Sequence, residues 1–411
     1  MMWEVKWEDL QMPVERKVIS RFASLLTLVL GAGIGLVTAA PAGAAPSTLY
    51  VATGGSDSNP CSKQAPCATI THAVSIAVAG NSIIVGKGTY TEDVSITKRL
   101  KVFGKNQPIV NASGRANGFL IQGAGAAGST VQGFTVENAT FEGILAQQTR
   151  NLTINDNHVV SNDRGIFLPA NQQTGECAGN GPVPGDCGEG LHLMSVTNSH
   201  IRYNTVTGNS GGILLSDEFG PTAHNEVGWN HVDNNVYDCG ITVVGHMPSV
   251  VKNGQPQPSV GGVYDNTIIG NEVNGNGVQG KGGGILLAVS APGGASYDNR
   301  IVNNTAEGNG LAGVTIHLHI PGQDVNGNVI ENNLVKHDAL DGYGPGQPGD
   351  NDTSDTQTTG ILVFGAAPIT GTIIRDNDIR DVHFGIWTQD VPTISPSDNS
   401  FSGVAVKVHQ Q

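Results

Sequence analysis

From about residue 48 onward, apolar residues alternate with polar ones over very short stretches, and a single phrase keeps returning: a glycine, an aliphatic residue, any residue, a second aliphatic residue. It stands at Gly143-Ile144, Gly165-Ile166-Phe167-Leu168, Gly190-Leu191-His192-Leu193, Gly212-Ile213-Leu214-Leu215 and Gly240-Ile241-Thr242-Val243. It returns at Gly284-Ile285-Leu286-Leu287, Gly313-Val314-Thr315-Ile316, Gly360-Ile361-Leu362-Val363 and Gly385-Ile386-Trp387-Thr388. Where no insertion intervenes, the glycines lie 22, 25, 28 or 29 residues apart, the length of one solenoid turn. A second phrase precedes most copies, in which Asn flanks a short apolar strand: Asn157 to Asn162, Asn204 to Asn209, Asn266 to Asn271 and Asn299 to Asn304. Asn tolerates left-handed backbone and can hydrogen-bond from one turn to the next.

These phrases predict coils of two or three strands, each with too little apolar surface to stand alone. Inward Ile, Leu and Val must therefore stack on neighbouring coils about 4.8 Å away. Composition agrees: 57 glycines in 411 residues, 14% charged and 5% aromatic residues describe one repetitive architecture better than tandem compact domains. With 21 Lys+Arg against 35 Asp+Glu, a net charge of −14 gives no electrostatic grip on nucleic acid.

Across roughly residues 48–405 the pattern resembles the right-handed parallel β-helix superfamily, the pectin-lyase-like and copper-maturation-type repeat proteins. The resemblance implies an all-β, right-handed parallel β-helix with a short N-terminal capping helix. Leu49-Tyr50-Val51-Ala52 resembles the family's entry strand, Ala68 to Val74 the capping helix, and Ser82 to Tyr90 the first coil. The superfamily holds polysaccharide lyases, epimerases, glycoside hydrolases, tailspikes and non-catalytic surface proteins, so fold alone does not choose among them. The polygalacturonase-like Asn-Thr-Asp and Arg-Ile-Lys segments are missing, and Gly245-His246 is followed by Met247 where those enzymes carry a second glycine.

The N-terminus changes the compartment. Arg16, Lys17 and Arg21 precede an apolar run from Phe22 to Ala40, and Ala42-Gly43-Ala44 follows, which reads as an export signal cleaved near Ala44. The expected organisation is a signal over 1–44, cap and first coil over 45–104, and coils over 105–411, in a secreted or extracytoplasmic protein with no membrane attachment after cleavage. Of five cysteines, Cys61 and Cys67 bracket one short loop, Cys177 and Cys187 another, and Cys239 is left as a small buried side chain.

Candidate chemistry gathers where several coils carry a proline eight or nine residues past the repeat glycine: Pro221, Pro248, Pro292, Pro321 and Pro368. Beside them stand Asp217, Glu218, Asp238, His246, His317 and His319. With coils about 5 Å apart, Asp217, Glu218 and His246 should come within reach of one another, and His319 about 10 Å further along. His246, His317 or His319 would serve as base in elimination or epimerisation of a uronate. Asp217, Glu218 and Asp238 would serve as the carboxylates of a glycosidase. Otherwise His246, His317, His319 and Glu218 would hold a divalent metal, calcium or a transition metal. Glu189, His192, Lys281 and Trp229 complete the expected sugar-binding groove, Trp229 being one of few aromatic platforms beside Tyr237, Tyr264, Tyr297 and Trp387. An acidic stretch, Asp350 to Asp355, has oxygen ligands suited to calcium. The expected partner is an extended polysaccharide or oligosaccharide, turned over by a lyase, epimerase or hydrolase, or bound without turnover by a surface β-helix.

Overall fold

A computed structural model describes residues 47–169, 171–173, 188–246, 251–252, 255–256, 261–279, 282–289, 292–338, 358–389 and 396–410. The expected export segment, the Cys177 and Cys187 pair, Lys281 and the acidic stretch Asp350 to Asp355 lie outside these residues. One compact unit spans Ala45–Gln411, and it is a right-handed parallel β-helix.

Three parallel sheets, of 11, 14 and 11 strands, form the faces of the coil stack. The face that matters below runs through the strands Ile144–Arg150, Glu189–Thr197, Gly211–Ser216, Ile241–Gly245, Ile285–Val289, Val314–Leu318, Thr359–Gly365 and Phe384–Gln389. Its register places Leu191, Ile213, Ile241, Ile285, Val314, Ile361 and Ile386 in one inward column. All seven are fully buried in a single core cluster. The aliphatic residue after each glycine is thus the rung of a continuous apolar ladder, and each rung excludes water only because its neighbours do.

The repeat glycines are required by close approach of the backbone at the corner. A Cβ on Gly240 would lie 2.7 Å from Asn276 Nδ2 and 2.9 Å from the carbonyl oxygen of Gly284 in the next coil. Gly240→Ala should cost about 2–4 kcal/mol, read as a lower midpoint of urea unfolding, because backbone on the adjoining coil must give way.

Buried asparagines hold the other corners. Asn157, Asn204, Asn230, Asn271, Asn304, Asn333 and Asn377 form one ladder, each Nδ2 donating to the next Oδ1 at 2.9–3.0 Å. Asn162, Asn209, Asn235, Asn276 and Asn309 form a second, closed by Asp338. Each amide also gives its Nδ2 to a main-chain carbonyl of an earlier coil, so turns that no strand ladder reaches are still hydrogen-bonded.

The expected cap is present. The helix Ile70–Ile76 buries Ile70, Ala73 and Val74, and Thr69 caps it by accepting from His72 N. Glu92, almost fully buried, accepts from Ile70 N at 2.9 Å and Thr71 N at 2.7 Å. Cys61 and Cys67 form the expected short-loop disulfide, and Cys239 is buried.

One repeat copy departs from expectation. Gly165-Ile166-Phe167 lies in a 3-10 turn, Arg164–Phe167, and the strand Ile144–Arg150 pairs directly with Glu189–Thr197. Asp163 enters the left-handed region at φ 59°, and the amides of Arg164 and Gly165 are taken by Ala139 and Thr140. The phrase has the right letters, yet its backbone donors bond to the turn after the strand Thr135–Glu137 of the coil before and not to the strand Ile144–Arg150.

Candidate functional site

Glu218, His246 and His319 each stand six residues past a repeat glycine, at Gly212, Gly240 and Gly313. Strand register therefore puts them on one column, with the coil of Gly284 between the two histidines. The expected neighbours meet: His246 Nδ1 lies 2.7 Å from Glu218 Oε1. Asp217, one residue earlier, turns the opposite way and is fully buried. Its oxygens accept from His246 N at 2.7 Å and Gly262 N at 2.5 Å. Asp217 thus pins the following coil, just past the end of the strand Gly211–Ser216, and is not a carboxylate facing a ligand.

Behind Glu218 runs a buried chain of polar groups in which sequence reasoning missed Ser216 and Glu142. Ser216 Oγ donates to Glu218 Oε2 at 2.5 Å, and His192 Nε2 lies 2.7 Å from Ser216 Oγ. His192 Nδ1 faces Glu142 Oε1 at 3.3 Å. Ser216 has a single proton and spends it on Glu218, so His192 Nε2–H donates to Ser216. Glu142, His192 and Ser216 are all buried; His192, expected to touch sugar, instead carries this chain. Burial alone would raise Glu218, but the hydrogen bond from His246, the charges of His192 and His246 and the Ser216 hydroxyl outweigh it, pulling its pKa down to about 2. Glu218 is a fixed carboxylate, and it accepts the Nδ1 proton of His246.

A cavity of about 220 Å³ opens above this column. His246 and His319 line it together with Glu189 and Asp238, over a floor that includes Leu214, Val244, Leu286 and Ala288. His319 Nδ1 points to Val289 O at 3.2 Å, and Gln323 braces it, accepting from His319 N at 2.8 Å and donating to Val289 O at 3.0 Å. That tautomer leaves the lone pair on Nε2. A larger cavity of about 330 Å³, around Arg150, Phe219 and Pro221, contains none of the imidazoles.

Other expected residues sit elsewhere. His317 packs edge-on to His319 and Phe364, with ring centres 5.4 and 5.9 Å apart. Desolvation, then the neighbouring His319, lowers its pKa to about 3, so it stays neutral and buttresses His319. Trp229 is on a different corner, stacked on Tyr203, because it follows the strand Glu226–Gly228 of another face. Trp387 is buried. The expected metal set of His246, His317, His319 and Glu218 does not converge: Glu218 is spent on His246 and Ser216, and His319 Nδ1 on Val289 O. Among the described residues, three metal-ligating atoms come within 4.8 Å of one another only at Cys61, Cys67 and His72.

The family described as periplasmic copper-binding protein (NosD) matches residues 74–283, just over half of the chain. The chain belongs to the NosD family. An extracytoplasmic location agrees with that description. No curated protein matches the chain. Among solved structures it is similar to the A-module of the mannuronan C-5 epimerase AlgE4 of Azotobacter vinelandii. The identity is 15% and the TM-score 0.53, over 83% of this chain and 93% of that one. The A-module of AlgE6 from the same organism gives 14% and 0.53, over 82% and 89%. At this identity the likeness is one of fold. Among the described residues, the cluster of Cys61, Cys67 and His72 does not match the copper in the NosD description: Cys61 and Cys67 are joined as a disulfide, and a disulfide offers no thiolate to a soft metal ion.

Proposed function

We propose that this NosD-family chain processes an extended glycan in the cleft of Glu189, Asp238, His246 and His319, with His246 as general base. The observation that carries the reading is the 2.7 Å contact between His246 Nδ1 and Glu218. A carboxylate held in its ionised form by its hydrogen bonds fixes the tautomer and leaves Nε2 as the basic nitrogen, the arrangement by which a carboxylate orients a catalytic imidazole. A solenoid face suits a long ligand because successive coils offer successive subsites. The A-modules with this fold are named for action on mannuronan.

Charge favours one reaction class. The cleft wall carries Glu189 and Asp238 and, among its described lining residues, neither Lys nor Arg. Two carboxyl groups suit protonation of a departing glycosidic oxygen, and they repel the carboxylate of a uronate. The reading is therefore hydrolysis of a neutral glycan: His246 takes a proton from water as it attacks the anomeric carbon, and Asp238 or Glu189 returns one to the leaving oxygen.

The test is a panel of neutral glycans and polymannuronate, read by new reducing ends and by absorbance of unsaturated products. Reducing ends from a neutral glycan, with His246→Ala about 10²–10⁴ slower and Glu218→Gln about 10² slower, are expected. Unsaturated products from polymannuronate would replace hydrolysis by β-elimination, and turnover unaffected by His246→Ala would remove His246 from the chemistry.

A further inference from the structure

A second site lies away from the cleft, at the corner joining the two 11-stranded faces. There the strand His200–Arg202 turns into Thr205–Thr207 through Tyr203, and one coil later Glu226–Gly228 turns into His231–Asp233 through Trp229. Both aromatics adopt left-handed backbone, Tyr203 at φ 57° and Trp229 at φ 54°, a conformation that bulky residues rarely take. The equivalent turns of later coils use Gly270, Asn303 and Asn332, residues at ease there. Both rings are held out into solvent, with Tyr203 56% and Trp229 40% exposed.

They are also packed against each other and their neighbours. The rings stack with centres 5.7 Å apart and planes 20° apart. The Arg202 guanidinium lies over the indole at 5.5 Å, and it is itself fixed by Glu226 and by His200 Nδ1. On the far side of the indole is Gly270, where a Cβ would come within 2.8 Å of the ring. Trp229 is therefore covered on both faces and backs Tyr203. The other face of Tyr203 looks along the rod onto shorter side chains.

That face closes a cavity of about 280 Å³ lined by Tyr203, Gln107, Asp156, His158, Thr205 and Asn157. Asp156 Oδ2 accepts from Gln132 Nε2 at 2.8 Å, which orients the carboxylate. A flat aromatic wall, backed by the Trp229 indole, beside a carboxylate, an imidazole, an amide and a hydroxyl is complementary to a pyranose: C–H groups against the ring, hydroxyls to the polar edge. Two strained aromatic turns do nothing for the core, since neither ring enters it. We propose that this corner is a glycan-binding subsite for a neutral pyranose ring, separate from the cleft, with Tyr203 as its stacking platform.

The proposal does not depend on turnover in the cleft. The full chain is titrated by calorimetry with cellohexaose, mannohexaose and maltohexaose, and tryptophan emission is followed in parallel. Tyr203→Asn is the informative variant, because Asn is already the residue in equivalent left-handed turns and the coil should fold as before. The expected result is binding of at least one hexasaccharide with a change in emission. That binding should weaken at least about tenfold in Tyr203→Asn and persist in Tyr203→Phe. Failure of all three sugars to bind overturns the proposal. So does binding that Tyr203→Asn leaves intact or that His246→Ala abolishes, the latter assigning the ligand to the cleft.

Discussion

Asn230→Ala should destabilise the protein by about 3–5 kcal/mol. Asn230 is 1% exposed. Its Oδ1 accepts from Asn204 N at 2.9 Å and Asn204 Nδ2 at 3.0 Å, while its own Nδ2 donates to Ile201 O at 2.9 Å and Asn271 Oδ1 at 3.0 Å. Truncation removes one partner from four bonds at once. The groups left behind are sealed from water, so each costs its desolvation in full. Urea unfolding measures the effect, and a shift below about 1 kcal/mol would mean that water reaches the corner and the ladder is not a dry one.

Asp338→Asn should act in the opposite direction, and its size should depend on pH. Asp338 ends the second asparagine ladder, fully buried, with Oδ1 accepting from Asn309 N at 3.0 Å and Asn309 Nδ2 at 2.8 Å. Its Oδ2 is buried without a hydrogen-bond partner among the described residues. Burial, only partly offset by the Asn309 bonds, raises its pKa from 3.8 to about 8. In the unfolded chain the group ionises near its ordinary value, so between about pH 4 and pH 8 the folded state binds the extra proton. Stability consequently falls as pH rises through that window, by up to about 1.4 kcal/mol per unit. Asn carries no such proton and continues the ladder. The variant should match the wild type near pH 4 and exceed it by a few kcal/mol at pH 8, as measured by urea unfolding at both pH values. A difference that does not grow with pH would show that Asp338 is ionised in the fold.

The coil stack was readable from sequence because its two signals are backbone requirements. A repeat glycine has no room for a Cβ, and a corner Asn must both donate and accept between turns. Those constraints leave recurring letters at a recurring spacing. The pairing of Glu218 with His246 was readable for the same reason, both being six residues past a glycine. What escaped was set by features without period. Gly165 satisfied the phrase but followed Asp163 in a left-handed turn, and the strand it should have joined comes after an insertion. Asp217 and Glu218 are adjacent letters with opposite fates. Ser216, four residues past Gly212, looked like an ordinary outward position, and His192, two past Gly190, was assigned to the sugar groove; only the diagonal contact between coils links them. Trp229 was assigned to the groove by residue type alone, although its turn belongs to another face.

Because each rung of core, glycine and asparagine meets only the rung before and after it, whole turns can be gained or lost by recombination without disturbing what remains. The cleft is different, since Glu218, His246 and His319 come from different turns counted in a fixed order. Duplication or loss of one repeat between Gly212 and Gly313 would leave a folded rod with its acid and imidazoles re-spaced. In this architecture the scaffold can drift in length while the chemistry is rewritten in steps of a single coil.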